Sequence, residues 1–582
     1  MEKIVETKTC RHCQSQFEIT DKDLEFYEKV SPVFQTDESG KPKEENSFIH
    51  LDKEGKGDFL KSLIKDIGNG KVKYLIPPPT LCPDCRQQRR LSFRNERKLY
   101  KRKCDATGEE IISIYSPDKK YKVYDQNYWW SDNWNALDYG KVFDFSKSFF
   151  EQFGELMREV PKISLITMNQ ENSEYSNFSA WNKNSYLIFT SGKNDKVLYS
   201  NRSWNSINLI DCSNIDKCNN SYQLIDCKNC IQSSFLINCI DCFNCYSSNN
   251  LIGCNNCTLC DNLINESFCI KNIKYSEKDY ISEISKILNI KTFHKGIIQK
   301  YINGSSLENC NGDSLFSSSN SYYCFQGHNI KDCKYTCNIT NMRTSYDVDN
   351  DDNSELVYEC VGSESNYMHI FNDICWVNKN LFYSNLCFNS SYLFGCVGLC
   401  NKSYCILNKQ YTKQEYETLV PKIIEHMMKT GEWGEFFPSS ISPFGYNETV
   451  AMEYFPISRD KALPYLYKWS DYEPPFPKVD KIISANKLPE DIKDIPDDIL
   501  NWAIECEITK KPFRIISQEL EFYRKHNLPI PKRHPDQRHL DRMALRNPRK
   551  LFDRKCDKCG KDIKTTYSPD RKEIVYCEEC YN

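Results

Sequence analysis

Histidine is scarce in this sequence, which has nine among 582 residues. None stands in a triad-like arrangement or in the H-E-x-x-H pattern of zinc hydrolases, and no glycine-rich phosphate loop is present. These absences argue against a hydrolase and against a nucleotide-dependent enzyme. We therefore expect a protein with no catalytic residues and no small-molecule substrate.

Long apolar runs are also absent. No stretch approaches the length of a membrane-spanning helix, and the opening residues "MEKIVETKTC" lack the hydrophobic segment of a secretory signal. The formal net charge is only -3, but the charge is unevenly distributed, so local patches matter more than the total. We expect a cytoplasmic protein of several domains with no membrane partner.

Cysteine, in contrast, is abundant, with 31 residues. Most of them fall into C-x-x-C pairs or into a regular ladder, which differs from the scattered cysteines of a secreted disulfide scaffold. In a reducing compartment this pattern indicates metal sites and buried thiols.

The two ends of the chain carry copies of one module. "CPDCRQQRRLSFRNERKLYKRKC" from Cys82 aligns with "HPDQRHLDRMALRNPRKLFDRKC" from His534 at a constant offset of 452. Upstream, "CRHCQSQFEITDKDLEFY" from Cys10 matches "CEITKKPFRIISQELEFY" from Cys506, and the N-terminal copy differs by an insertion at about 31–76. We therefore predict modules over 1–130, including that insertion, and over 501–582.

Each copy keeps one four-cysteine site of a parent module that had two. Paired C-x2-C turns surround a tetrahedral ion and leave no open position, so the sites predict structural zinc, about two ions per chain, rather than free surface thiols. The retained ligands are Cys10, Cys13, Cys82 and Cys85 at one end and Cys556, Cys559, Cys577 and Cys580 at the other. The lost sites read Cys104, Thr107, Asp125 and Tyr128, and Cys506, Thr509, His534 and Gln537; weak metal binding by Cys506 with His534 or His539 stays open.

Basic segments lie inside both modules. Arginine favours bidentate contacts to phosphate, so these segments predict nucleic-acid binding, with RNA favoured because no finger-type recognition helix is apparent. The alternatives are a solvated face, or arginines clamped to carboxylates of the central domain. The candidate nucleic-acid ligands are Arg86, Arg89, Arg90, Arg94, Arg97, Lys98, Lys101, Arg102, Arg538, Arg542, Arg546 and Arg549.

A cysteine ladder fills the middle of the chain. From Leu209 to Cys269 the sequence has a 15-residue period, as in "LIDCSNI", "LIDCKNC" and "CIDCFNC". The repeat predicts a parallel β-helix with one 15-residue rung per repeat. Positions three residues apart cannot both point inward along one strand, so a corner must separate them. Cysteine is then a small buried filler, because leucine and isoleucine share its columns. Iron–sulfur ligation and disulfides are the alternatives considered.

The solenoid is duplicated as well. "GLCNKSYCILNKQYTKQEY" matches "NLINESFCIKNIKYSEKDY" at an offset of 136, which defines solenoids over 175–275 and 305–410. Each ends in a capping-box start, Ser276 with Asp279 and Thr412 with Glu415, which predicts helical caps over 276–304 and 411–435. An amphipathic helical connector over 131–174 and a proline-rich connector over 436–500 complete the predicted, mainly β fold.

With "LCPDCRQQRRLSFRNERKLYKRKC", "WWSDNWNALDYG", "VFDFSKSFFEQF" and "ILNKQYTKQEY" in view, the chain resembles an uncharacterised zinc-ribbon protein family of candidate phyla radiation (Patescibacteria) bacteria. The resemblance covers essentially the whole length and implies four intact knuckle pairs. The chain departs from this pattern at Thr107, Asp125, Tyr128, Thr509, His534 and Gln537. Some relatives carry a CaiB/BaiF-type CoA-transferase label, which the residues present here do not support.

The functional expectation is a non-enzymatic binding protein that contacts RNA or the ribosome through the arginines of its two modules. A protein–protein scaffold built on the solenoid is the second hypothesis. An iron–sulfur or redox protein is the third.

Overall fold

The computed structural model describes residues 2–35, 62–287, 292–476 and 478–581. It is mainly β, with a solenoid of about 20 turns between residues 167 and 406, which confirms the predicted fold class. Part of the predicted insertion, 36–61, lies outside the described residues.

The N-terminal module is built from short hairpins and helices. β1 pairs antiparallel with β2, and β6 pairs antiparallel with β7. The turn of the first hairpin contains Cys10 and Cys13, and the turn of the second contains Cys104 and Thr107. A capping box of Thr20 and Asp23 starts the first helix. The elements are β1 (Ile4–Thr9), β2 (Gln16–Thr20), α1 (Asp21–Val30), β3 (Val33–Gln35), β4 (Ile64–Gly68), β5 (Lys71–Tyr74), α2 (Pro83–Leu91), β6 (Tyr100–Lys103), β7 (Glu110–Ser113), β8 (Val123–Tyr124) and α3 (Gln126–Trp129).

The predicted amphipathic helix follows as α4 (Phe149–Glu159). It buries Phe149, Phe153 and Leu156, as its apolar spacing requires. The first solenoid then runs through β9 (Lys162–Ile163), β10 (Thr167–Met168), β11 (Ser176–Asn177), β12 (Ser179–Ala180), β13 (Ile188–Phe189), β14 (Asp195–Leu198), β15 (Asn201–Trp204), β16 (Ile207–Ile210), β17 (Ser213–Asp216), β18 (Asn219–Lys228), β19 (Ser234–Ile237), β20 (Tyr246–Asn249), β21 (Asn255–Thr258), β22 (Ser267–Ile270) and β23 (Ile273–Lys274).

Each rung of the solenoid is shorter than the 15-residue sequence repeat predicts. Parallel pairing joins Ile207 to Asn219 and Leu224 to Leu236, so the structure has a 12-residue rung and the predicted 15-residue rung is wrong. Every third residue adopts a left-handed conformation, as Asp241 does, so four three-residue sides close one rung. The predicted corner between inward positions three residues apart is thereby confirmed. Asn and Asp suit such corners because they tolerate positive φ best after glycine.

The 15-residue period describes the filling of the lumen rather than the rung. Each of the four rungs between 218 and 263 turns one leucine inward together with three cysteine or serine side chains. One such period equals one rung plus one side, so Leu209 and Leu224 lie on different sides of the lumen, whereas Leu224 and Leu236, one rung apart, stack directly. Each leucine thus shares its rung with three small side chains, which is how a narrow core is packed without overlap.

Serine and cysteine fill equivalent inward positions. The Ser233 hydroxyl donates to the Ile231 carbonyl and accepts from the Cys245 amide, while the Cys245 thiol donates to the Phe243 and Cys254 carbonyls. The ladder cysteines are buried free thiols, in agreement with their predicted role as small fillers.

The second solenoid has the same architecture. It comprises α5 (Glu277–Ile287) after the first solenoid, then β24 (Ile298–Lys300), β25 (Gly304–His328), β26 (Lys331–Lys334), β27 (Cys337–Thr340), β28 (Arg343–Asp352), β29 (Glu355–Glu364), β30 (Tyr367–Ile370), β31 (Lys379–Phe382), β32 (Ser391–Phe394), β33 (Ser403–Ile406), β34 (Lys409–Gln410) and the cap α6 (Lys413–Thr430). The predicted capping pairs at Ser276 and Thr412 are present.

The remaining chain wraps the solenoids and forms the second module. It contains α7 (Val450–Tyr454), α8 (Arg459–Ala462), β35 (Lys481–Ser484), β36 (Trp502–Glu505), β37 (Pro512–Phe513), α9 (Ser517–Lys525), α10 (Pro535–Leu545), β38 (Phe552–Lys555), β39 (Asp562–Thr565), β40 (Ile574–Tyr576) and α11 (Glu578–Tyr581). Short 3-10 turns occupy Ala136–Tyr139, Ser439–Ile441, Tyr446–Glu448, Leu463–Tyr465, Ala485–Lys487, Ile492–Asp494 and Asp497–Asn501.

The two modules cross between the two solenoids. In the N-terminal module β8 pairs with β9 at the start of the first solenoid, whereas α2 packs on β28 and β29 of the second. In the C-terminal module β40 pairs with β24 at the start of the second solenoid, and the side chains of α10 contact the first. Each module therefore joins both solenoids.

Candidate metal centres and the docked basic helices

Two groups of four cysteines meet the requirements of a metal centre. Within the described ranges they are the groups of three or more Cys, His, Asp or Glu side chains whose ligand atoms all lie within 4.8 Å of one another. Their members are the eight predicted ligands, Cys10, Cys13, Cys82 and Cys85, and Cys556, Cys559, Cys577 and Cys580.

The sulfur spacing fits a tetrahedral ion. The Cys13 and Cys82 sulfurs lie 3.6 Å apart, and the Cys559 and Cys577 sulfurs 3.7 Å apart. Four thiolates at about 2.3 Å from a zinc ion would stand about 3.8 Å from one another. A hydrogen bond with the Cys85 thiol is the main cause that lowers the pKa of the Cys82 thiol, to about 5. One ligand of this group is therefore readily deprotonated. Each group has four protein ligands, the composition of a structural site.

The two decayed sites keep the knuckle turn around their one remaining cysteine. The Cys104 sulfur accepts the amides of Thr107 and Asp125 at 3.4 and 3.2 Å, matching the bond from the Cys577 amide to the Cys556 sulfur at 3.3 Å. Burial opposes ionisation of Cys104, but these hydrogen bonds outweigh it and lower its pKa. The turn thus persists without a four-cysteine site, on backbone N–H to sulfur bonds and on the backbone bonds from Cys104 to Glu109 and from Gly108 to Cys104.

His534 does not stand as a free ligand at the second decayed site. Its Nδ1 accepts the backbone amide of Asp536 at 3.1 Å, so the imidazole caps α10. Cys506 accepts the Thr509 amide at 3.4 Å in the same manner as Cys104. Neither Cys506 nor His534 belongs to a metal-ligand group among the described residues.

The basic helix α2 docks on carboxylates of the second solenoid. Arg86 and Arg90 share Asp347, at 2.9 and 3.3 Å from its two oxygens, and both guanidinium groups are buried. Arg89 bridges Glu359 and Glu435 at 3.1 and 2.8 Å. This arrangement is the alternative in which the arginines are clamped to the central domain.

The basic helix α10 repeats this docking on the first solenoid. Arg538 and Arg542 share Asp211, at 2.6 and 2.8 Å from its two oxygens. Asp211 and Asp347 are related by the same offset of 136 that relates the two solenoids. The ring beneath each first arginine also corresponds, because Arg86 lies over Tyr335 and Arg538 over Tyr199. The two modules therefore dock by one shared set of internal contacts.

The other predicted nucleic-acid ligands are mostly engaged within the chain. Arg94 is buried beside Glu96, Arg97 and Lys98 approach Asp536, and Arg102 pairs with Asp105. Arg546 pairs with Asp226, and Arg549 lies over the Tyr454 ring. Lys101 is exposed. The structure thus brings these residues to internal contacts, and not to one open surface.

The sequence reasoning missed the carboxylates that receive the arginines. Asp211 and Asp347 lie in the solenoid repeats "LIDC" and "SYDV", where an acidic residue resembles any other corner residue. A signal existed nonetheless, since both stand at equivalent places of the duplicated solenoids.

One large cleft, of about 1240 Å³, lies between the first cysteine group and the opening rungs of the second solenoid. Its lining carries five cationic side chains and five carboxylates, so it gives no net attraction for a polyanion. The contributing charges are Lys22, Lys29, Lys334, Arg549 and Lys550, and Glu2, Glu18, Glu25, Asp84 and Asp332.

Comparison with known proteins finds no family model that matches the chain and no match among curated proteins. No helix among the described residues is long and apolar enough to cross a membrane.

Proposed function

We propose that this protein is a non-enzymatic scaffold, braced by two structural Zn²⁺ ions, that binds a protein partner on an open face of its solenoid. The observation that carries the proposal is the use of the basic helices inside the molecule. The arginines of these helices were the strongest sequence signal for nucleic-acid binding, and four of them form buried ion pairs with carboxylates inside the molecule. They are Arg86, Arg90, Arg538 and Arg542.

Two sides of the first solenoid carry exposed side chains and are not covered by the described residues of the modules. One column on these sides reads Trp204, Asp216, Lys228, Ile240, Ile252 and Ile264, and the neighbouring column contains Ile207, Ile231 and Phe243. A flat parallel sheet with exposed apolar residues is a surface suited to a protein partner. Binding of RNA or the ribosome remains a separate prediction, and it would have to use exposed cations such as Lys101 and Lys103.

Zinc is the metal that four cysteine thiolates in two C-x2-C turns favour. Metal analysis of the purified chain should find about two zinc ions and no iron. Cys577→Ser should lower the content by one ion, whereas Cys242→Ser in the ladder should leave it unchanged. A visible chromophore with bound iron would contradict the zinc assignment.

A photo-crosslinking amino acid tests the contact surface. Placed at Lys228 on the open face it should capture a protein of defined mass in cells of the native host, and placed at exposed Lys555 on β38 it should not. Salt-dependent RNA binding that is weakened by replacing Lys101 and Lys103, with no protein adduct at Lys228, would overturn the proposal in favour of RNA.

A further inference from the structure

The two solenoids differ in how one equivalent strip is covered. In the second solenoid the strip consists of Trp376, Phe388 and Cys400 on consecutive rungs. In the first solenoid the equivalent positions, at the solenoid offset of 136, are Ile240, Ile252 and Ile264, which also pair rung to rung. We call these three isoleucines the open strip.

An aromatic segment covers the strip of the second solenoid. Trp129 and Trp130 place their rings 5.9 and 5.0 Å from the ring of Phe388, and Trp134 packs against Trp129 at 5.4 Å. Gly398, at φ +71°, lies beneath this segment: a Cβ there would stand only 3.1 Å from Val160 Cγ1, and at ordinary contact distances of 3.6 and 3.7 Å from the rings of Trp134 and Trp129. Phe388 is consequently only 6% exposed.

The first ring of this cover has a counterpart in the C-terminal module. Tyr581 is equivalent to Trp129 at the module offset of 452, and its hydroxyl donates to the Asn262 side chain at 2.8 Å. Asn262 is itself the equivalent of Gly398. The two modules therefore place equivalent residues beside equivalent positions of the two solenoids.

The second and third rings have no counterpart among the described residues. The position aligned with Trp130 is Asn582, which lies outside them. Ile252 and Ile264 are 44% and 63% exposed, against 6% for Phe388 at the covered strip. Ile231 and Phe243 on the adjoining side are also exposed, at 36% and 42%, which extends the apolar surface around the corner.

We infer that the open strip is the docking site for a segment of a partner protein that presents two aromatic rings spaced as Trp130 and Trp134 are. The covered strip identifies the chemistry of the occupant, because the same fold position already binds such a segment within this chain. Tyr581, which is hydrogen-bonded to Asn262, lies beside the site, and the partner supplies rings that correspond to Trp130 and Trp134. Buried aromatic anchors of this kind contribute most of the binding energy of small interfaces. This inference rests on the proposed scaffold function and locates its site.

A labelled peptide with the sequence of residues 130–140, "WSDNWNALDYG", tests the inference with the full chain. Fluorescence anisotropy should show saturable binding of one peptide per chain. The peptide in which both tryptophans are alanine should bind at least tenfold more weakly.

The variant Ile252→Glu with Ile264→Glu should lose binding at least tenfold, and both positions are exposed, so the fold should be retained. Ile207→Glu, on another rung and 48% exposed, is the matched control and should bind as the parent does. Equal binding by the double variant, or none by the parent chain, would overturn the inference. Dimers of the parent chain that the double variant abolishes would do the same, since the occupant would then be a second copy.

The outcome is separable from that of the scaffold proposal. If the peptide fails to bind but the crosslinker at Lys228 still captures a protein, the scaffold function stands and only the aromatic occupant is excluded.

Discussion

At the scale of single residues, charge is concentrated where the modules meet the solenoids. Asp211 and Asp347 each hold two arginines in the interior, where the guanidinium groups are almost completely shielded from water. Such groups are costly to bury unless they are paired. These carboxylates thus contribute to stability through the charges that they neutralise.

Asp211→Asn should destabilise the protein by about 3–5 kcal/mol, because Arg538 and Arg542 would stay buried without a full countercharge. Chemical denaturation followed by tryptophan fluorescence measures the loss. Asp553→Asn removes a carboxylate from an exposed pair with Lys564 and should change stability by about 0.5 kcal/mol or less. Equal losses in the two variants would show that the buried clamp is not a stabilising contact.

Lys162 is a fully buried lysine at the start of the first solenoid. Its Nζ has no hydrogen-bond partner among the described residues, and burial, opposed by the charge of Asp373, lowers its pKa to about 7. Between that value and its unfolded pKa of about 10.4, the unfolded chain binds more protons, so this group makes stability rise with pH.

Lys162→Met should therefore stabilise the chain at pH 7, by about 1 kcal/mol or more, and much less at pH 9.5. Unfolding midpoints of the variant and the parent at the two pH values give the comparison. A gain independent of pH would mean that Lys162 is protonated in the folded state throughout this range.

At the scale of elements, the rung and its filling are set by different physics. Hydrogen bonds between parallel strands and left-handed corners determine the 12-residue rung. The limited lumen determines that one leucine is combined with three small side chains. The 15-residue repeat was readable from the sequence, but only the pairing register shows that it is a rung plus one side.

Cys242→Leu should destabilise the solenoid by about 1–3 kcal/mol, because its rung already contains Leu251 and a second large side chain overfills the lumen. Cys242→Ser is the matched control and should cost much less, since serine makes the equivalent bonds at Ser233. Thermal melting by circular dichroism measures both. Tolerance of leucine would indicate a lumen wider than this packing implies.

At the scale of the whole molecule, the crossed modules connect the two halves of the chain. α2 belongs to the first half and docks on Asp347 of the second, while α10 belongs to the second half and docks on Asp211 of the first. The two docking contacts are equivalent, because Asp211 corresponds to Asp347 and Arg538 to Arg86. Each basic helix therefore finds its carboxylate partner in the other half of the chain.

The fragments 1–287 and 292–582 should consequently be unstable when each is produced alone, and should form a stable 1:1 complex when produced together. Size-exclusion chromatography with limited proteolysis distinguishes these outcomes. A fragment 1–287 that folds alone as a monomer would show that the crossed docking is dispensable.

The sequence alone determined the features that depend on local pattern. Paired C-x2-C turns identified both metal groups, Ser276 and Thr412 marked the starts of the caps, and the short repeat predicted a solenoid. These signals are readable because ligand spacing, capping and strand periodicity are set by residues that are near in the chain or repeated along it.

Only the tertiary structure decided which carboxylates pair with the arginines and which solenoid faces are covered. Arg86 meets Asp347 and Arg538 meets Asp211 although each pair is far apart in the chain, and a guanidinium group has the same composition whether it binds phosphate or a carboxylate. Likewise Phe388 is covered and Ile252 is open although the two are equivalent in the repeat. What packs over a strand is chosen by segments distant in the chain, so the fold, and not the repeat, separates the buried strip from the available one.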